Sequence, residues 1–298
     1  MAPNKQVPEH EDGKNDESLV KNKSGRNPVL FRANTFRDTH PLPKYDGDVC
    51  IVTGGTTGIG AATCKAFAQA GARAVYNLDI VTPPNNDNKK YNVIENIKCD
   101  VSKPDELKAA ITAIFEKEEH IDHLVSNAGV WVGGEPMENI TEAEFDRVVG
   151  INIKGCFFAI ASVVPFMKQQ EPKGGSIIVI GSDQSFIGKP FQNLYGMTKG
   201  AIAQLAKSTA VQYAPDGIRV NCVAPGTIDT PLMHKAVEHM AELAGDGDVE
   251  GRVKWLETAQ PFPRLGMPEE VAHTIVFVSK MPFMVGSTVQ IDGGYTAM

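Results

Sequence analysis

Tyr195 and Lys199 stand four residues apart, after an apolar run that ends at Ser182. On a helix, residues at that spacing share a face, with about 5–6 Å between their Cβ atoms. The spacing therefore sets an ammonium group near a phenol whose ordinary pKa is about 10, too high for proton exchange at neutral pH. A nearby cation favours the phenolate and lowers that value, which makes Tyr195 a candidate general acid or base. A hydroxyl at Ser182 can stabilise charge on the oxygen that exchanges the proton. The spacing alone would equally suit a surface pair, so its meaning depends on what the rest of the chain places beside it.

A phosphate-binding corner is the first such element. Residues 48–53 form a short, β-branched apolar run of the kind that fills a buried parallel strand. Thr53-Gly-Gly-Thr-Thr-Gly-Ile-Gly60 follows, and helix formers continue from Ala61 to Ala70. Glycines allow close approach of a pyrophosphate, and a helix beginning there offers free N–H groups and a positive dipole end. Gly54, Thr57, Gly58, Ile59 and Gly60 are the candidate contacts, although the first gap is longer than in the common dinucleotide fingerprint. The second strand, 73–79, ends in Asp79, 79 − 60 = 19 residues past the last glycine. That spacing suits a carboxylate bonded to the adenosine ribose hydroxyls. An acid there repels a 2′-phosphate, and Thr56 and Thr57 stand where an Arg or Lys could have held one. The expected cofactor is NAD rather than NADP.

Further strands are expected at 93–99, 121–126, 176–182, 218–223 and 288–291, and helices at 104–119, 142–168, 194–213 and 268–279. This alternation predicts an α/β fold: one doubly wound Rossmann-type domain with a mainly parallel seven-stranded sheet and helices on both faces. In such sheets ligands bind beyond the carboxyl ends of the strands. Thr53, Asp79, Asp100, Asn127, Ser182 and Pro225 all fall at or just past those ends.

The ordered set of motifs resembles the short-chain dehydrogenase/reductase family over residues 48–298. It comprises Thr53-Gly-x3-Gly-x-Gly60, Asp100, Asn127-Ala-Gly129, Asn152, Ser182, Tyr195-x3-Lys199, Pro225-Gly226 and Asp292-Gly-Gly294. The resemblance implies a catalytic set of Asn152, Ser182, Tyr195 and Lys199. In it Tyr195 exchanges the substrate proton and Lys199 lowers the Tyr195 pKa and bonds the nicotinamide ribose. Ser182 holds the substrate oxygen, and Asn152 anchors a relay water. It also implies cofactor contacts from Asp100, Val101, Asn127, Ala128, Gly129, Tyr195, Lys199, Pro225, Gly226 and Thr230. A homotetramer follows by the same resemblance. The expected reaction interconverts a secondary alcohol and a ketone on a small molecule. A 3-oxoacyl-thioester reductase and a non-catalytic NAD-binding protein are the alternatives.

Composition is that of an ordinary globular protein, 42% hydrophobic and 22% charged. A net charge of −7 argues against a nucleic-acid surface. No uninterrupted apolar stretch approaches the roughly 18–20 residues of a membrane span. The five cysteines lack any Cys-x-x-Cys pair and suit reduced core thiols of a cytoplasmic protein. No metal site is expected, because His120 and His123, and likewise His234 and His239, lack ligand spacing.

Residues 1–47 form an extension. Residues 1–27 are too polar to order themselves, whereas 28–47 carry Leu30, Phe31, Phe36 and Leu42 for packing on the domain or a neighbouring subunit. Residues 231–260 are expected to form a substrate lid, broken by Gly245-Asp-Gly-Asp248, with Leu232, Met233, His234 and Trp255 as its cover. Trp131, Gln184, Phe186 and Gln192 are expected to shape the pocket, which would suit a cyclic or polyol-like alcohol or a short acyl chain.

Overall fold

The computed structural model describes residues 42–81 and 91–298. The expectations for residues 1–41 lie outside the described residues. Seven strands form one sheet: β1 (Val49–Thr53), β2 (Ala74–Asp79), β3 (Ile94–Lys98), β4 (His123–Ser126), β5 (Gly175–Ile180), β6 (Ile218–Pro225) and β7 (Thr288–Ile291). Their order is β3-β2-β1-β4-β5-β6-β7, and every pairing is parallel. The chain reverses its direction of growth between β1 and β4, and such a switch point opens a crevice at the carboxyl ends. Register brings those ends level there, because Thr53 pairs with Leu78 on one side and Ser126 on the other.

Among the described residues eight α-helices surround the sheet: α1 (Gly58–Gln69), α2 (Pro104–Glu118), α3 (Glu142–Val149), α4 (Cys156–Gln169), α5 (Asn193–Tyr213), α6 (Pro231–Ala244), α7 (Val249–Ala259) and α8 (Pro268–Lys280). Successive strand residues point to opposite faces, so both faces of each central strand must be apolar. Val49 and Ile51 enter the core built with α2, α4 and α5, through Leu107, Val163 and Ala206. Cys50 and Val52 enter the other, built with α1 and α8 through Phe67 and Ile275. This two-sided burial is why the strands read as continuous apolar runs.

The end of the sheet away from the crevice is closed by residues just before β1. Tyr45 is fully buried, packs on Phe67 and His123 with centroids 5.1 and 4.9 Å away, and donates its hydroxyl to Val276 O at 2.6 Å. Asp48 accepts from His123 Nε2 at 2.8 Å and pairs with Lys280 of α8. Burial lowers the His123 pKa and keeps the ring neutral.

The expected helix over 142–168 is one run with an internal fault. Between α3 and α4 the backbone takes a π-helical turn over Gly150–Gly155, which contains Asn152. The combined helix Glu142–Gln169 is long and apolar enough to cross a membrane by length and composition, contrary to the reading of the sequence. Asn152 and Lys154 interrupt the apolar run in the sequence while the helix continues through them. Its buried residues Ala159, Ile160, Val163, Val164 and Met167 belong to the core under the sheet.

Candidate active site

The glycine turn is held by side chains from the strands beside it. Asn127, just past β4, donates to Thr53 O at 3.0 Å and Gly54 O at 2.9 Å. Asn77 of β2 accepts from Gly55 N at 2.8 Å. Gly54 has φ +66°, and a Cβ there would stand 2.8 Å from Ala128 Cα. A Cβ on Gly60 would lie 2.1 Å from Gly54 O, so the turn can close only without side chains at both positions. Helix α1 then starts at Thr57 with no side-chain cap and no acid in its first turn. Its first N–H groups stay available to an anion. This open helix end is the observation that fits the chain to a dinucleotide pyrophosphate.

The cleft above the turn has a cavity volume of about 250 Å³. Gly54, Thr57, Gly58, Ile59, Asp79, Asp100, Val101, Asn127, Ala128, Gly129 and Thr230 all line it. Asp79 accepts from Thr56 N at 3.0 Å and Val81 N at 3.1 Å, one bond to each oxygen, which leaves lone pairs for a ligand. Asp100 is held by the Ser102 hydroxyl at 2.7 Å and backbone N–H at 3.0 Å, which keeps its carboxyl below the usual range. Gly60 is buried under the turn rather than lining the cleft.

A second cavity of about 190 Å³ shares Ile59, Asn127, Gly129, Thr230 and Leu232 with the first, so the two are continuous. Ser182, Tyr195, Lys199, Pro225 and Gly226 line it. Gly226 donates to Ile291 O at 3.0 Å, and this bond ties the turn after β6 to β7. Thr230 caps α6 by accepting from Met233 N at 3.3 Å. Asn152 uses both amide protons, on Val130 O at 2.9 Å and Thr198 Oγ1 at 3.1 Å, and accepts from Val130 N at 2.8 Å. A Cβ on Gly129 would lie 3.3 Å from Asn152 Oδ1 and 3.8 Å from Lys199 Nζ, so the two side chains meet there.

The electrostatics differ from those expected of a Tyr–Lys pair. Lys199 is 5% exposed, donates to Ile180 O at 2.8 Å, and its Nζ lies 5.5 Å from the Tyr195 ring centre. Burial lowers its pKa to about 8. The Tyr195 phenol is raised above its ordinary value, first by burial and then by the charge of Asp183, while a hydrogen bond with Ser182 opposes the rise. Burial thus disfavours charge on both partners.

The pocket wall departs from the sequence reading in detail. Trp131, Gln184 and Gln192 line the second cavity and form one chain, with Trp131 Nε1 3.3 Å and Gln184 Nε2 2.6 Å from Gln192 Oε1. Phe186 instead is 48% exposed and outside the wall. Leu232, Met233, Met240 and Leu256 from α6 and α7 cover the cavity. His234 turns to Asp229 at 2.8 Å, and Trp255 is 64% exposed. Helix α6 stops at Gly245, whose φ of +70° ends the helix where the glycine pattern predicted. Two residues escaped the sequence reading altogether. Asp183 and Lys189 form an ion pair of 2.6 Å at the cavity wall, and no motif marks either.

A family model described as enoyl-(acyl carrier protein) reductase matches residues 54–296. An uncharacterised oxidoreductase of Schizosaccharomyces pombe is 36% identical over 257 residues, 85% of this chain and 92% of that protein. The ligand-free aldohexose dehydrogenase of Thermoplasma acidophilum superposes with a TM-score of 0.77 at 33% identity, covering 86% of this chain and 97% of that one. A 3-ketoacyl-(acyl-carrier-protein) reductase of Brucella melitensis, complexed with NADH, superposes at 0.73 with 25% identity, over 85% of this chain and all of that one. The protein ElxO, solved with NADP bound, gives 0.74 at 27% identity over the same shares. Seven parallel strands, an uncapped helix behind a glycine turn and these relatives together make the chain a short-chain dehydrogenase/reductase, an oxidoreductase with a nicotinamide dinucleotide cofactor.

Proposed function

We propose that the protein interconverts a secondary alcohol and a ketone on a small polar molecule, with NAD(H) as cofactor. The observation that carries this reading is the meeting of Ser182, Tyr195 and Lys199 in a cavity continuous with the glycine-turn cleft. NAD supplies hydride acceptance, and NADH hydride donation, at the nicotinamide ring. Tyr195 takes the alcohol proton in oxidation and returns it in reduction. Ser182 holds the substrate oxygen. Lys199 stands beside Gly129, where ribose hydroxyls would lie, and Asn152 Oδ1 keeps a lone pair for a relay water. Burial and Asp183 raise the Tyr195 phenol, and the positive charge of an oxidised nicotinamide bound beside it would act in the opposite direction.

Asp79 supports NAD over NADP, since no cationic side chain stands in the turn it faces. The polar wall of Trp131, Gln184, Lys189 and Gln192 suits a hydroxylated substrate better than an acyl chain. Initial rates of NADH formation over secondary alcohols, polyols and aldoses, beside NADH oxidation with an acetoacetyl thioester, test this. Turnover confined to the thioester would make the protein an acyl reductase instead.

The reading extends to a reducing, cytoplasmic setting, supported by five free, buried thiols. It also includes a homotetramer with α6 and α7 as the substrate lid of each subunit. Two separate sets of exposed apolar residues support two kinds of subunit contact. Phe157, Phe158 and Val211 lie on α4 and α5, and Phe277, Phe283 and Val285 lie on α8 and before β7. Four-subunit mass by light scattering is the expected result, and a monomer would contradict it.

A further inference from the structure

We propose that Asp183 and Lys189 are positioning residues of the reaction centre: Asp183 accepts the hydrogen bond of the Ser182 hydroxyl and sets a negative charge beside Tyr195, and Lys189 anchors and screens that charge. The inference rests on Ser182 and Tyr195 being the reacting groups.

The geometry is closed on all sides. Ser182 Oγ donates to Asp183 Oδ1 at 2.8 Å, and Lys189 Nζ donates to Oδ2 at 2.6 Å. Asp183 is 2% exposed, and Lys189 is bracketed by the carboxylate and the Tyr295 ring, 4.6 Å from its Nζ. A buried carboxylate is costly unless it is paired and hydrogen-bonded. This one meets both conditions, and its partners are a cation of the cavity wall and the serine of the site.

The serine is thereby given a direction. A hydroxyl has one proton and two lone pairs. Its O–H donates to Asp183 Oδ1, and one lone pair accepts from Gln184 N at 3.2 Å. The other is left for the phenol or the substrate hydroxyl.

The charge also acts on Tyr195. Asp183 and Ser182 face the phenol from the turn after β5, and Lys199 lies over its ring from the same helix. Lys199 in turn is faced by Cys156 of α4 and Cys222 of β6. Among these groups Asp183 opposes the phenolate, and Lys189 offsets Asp183.

The two side chains therefore have opposite signs of effect, which a merely structural ion pair would not produce. In Asp183→Asn the acid limb of kcat/KM for alcohol oxidation should move down by about one pH unit, what is left of the effect of one nearby charge after pairing with Lys189 and solvent reduce it. In Lys189→Met it should move up. NADH binding and thermal melting report whether each variant is folded. If Asp183→Asn fails to bind nucleotide, Lys189→Met decides alone, and an unmoved or lowered limb overturns the proposal. Limbs that both stay, or that move together, overturn it as well. Should Tyr195→Phe prove active, the catalytic reading itself fails; an inactive Tyr195→Phe with stationary limbs sinks only the positioning pair.

Discussion

Tyr195→Phe should lower kcat for alcohol oxidation by about 10²–10⁴-fold, the usual contribution of a positioned acid or base, while NADH still binds. The substitution removes one oxygen and leaves the ring, which packs at the start of α5 one turn from Lys199. Tyr195 does not line the glycine-turn cleft, which is walled by residues at the ends of β1 to β4 and at the starts of α1 and α6. A fluorescence titration with NADH should therefore match the unmodified protein, and steady-state absorbance should report the loss of turnover. The loss should be confined to kcat, since the missing proton transfer belongs to the transition state. A variant with near-normal turnover would remove Tyr195 from the mechanism.

How much of this was legible in the sequence follows from where the constraints lie. The strands were readable because both faces of the sheet are covered, so the central ones keep apolar residues at nearly every position. The glycine turn was readable because backbone collisions at Gly54 and Gly60 exclude side chains, and that exclusion is written in residue type. The π-helical turn at Asn152 left no such mark, since a shifted hydrogen-bond ladder needs no special residue. The raised phenol was equally hidden. A four-residue spacing shows that Lys199 is near Tyr195, but Asp183 and the loss of water on burial exist only in the folded chain. Residues 231–260 gave their break but not their inward faces: Leu256 lines the cavity while its neighbour Trp255 points to solvent. Side-chain direction at that precision depends on how α7 sits on α6.

Asp79→Asn should raise the preference for NADP relative to NAD by about 10²-fold in kcat/KM, and Asn is the informative replacement. Asp79 does two jobs, since its carboxylate holds Thr56 N and Val81 N while facing the cleft. Alanine would release the glycine turn and lower binding of both nucleotides, mixing architecture with charge. Asparagine keeps the shape and one of the two acceptor oxygens but loses the charge, so it gives up one of the two backbone bonds where alanine gives up both. For NAD the change weakens a charge-assisted bond to a ribose hydroxyl, and bonds to charged groups are worth about 1.5–3 kcal/mol. For NADP it removes repulsion between two anions, about 4 kcal/mol at 4 Å with an effective dielectric of 20, before relaxation and salt reduce it. Both terms move the ratio the same way, and the smaller sum that survives screening still gives two orders of magnitude. Initial rates with each nucleotide, at low and moderate salt, separate the contributions, because only the repulsion is screened. Equal use of NAD and NADP by the unmodified protein would show that the carboxylate does not read the ribose.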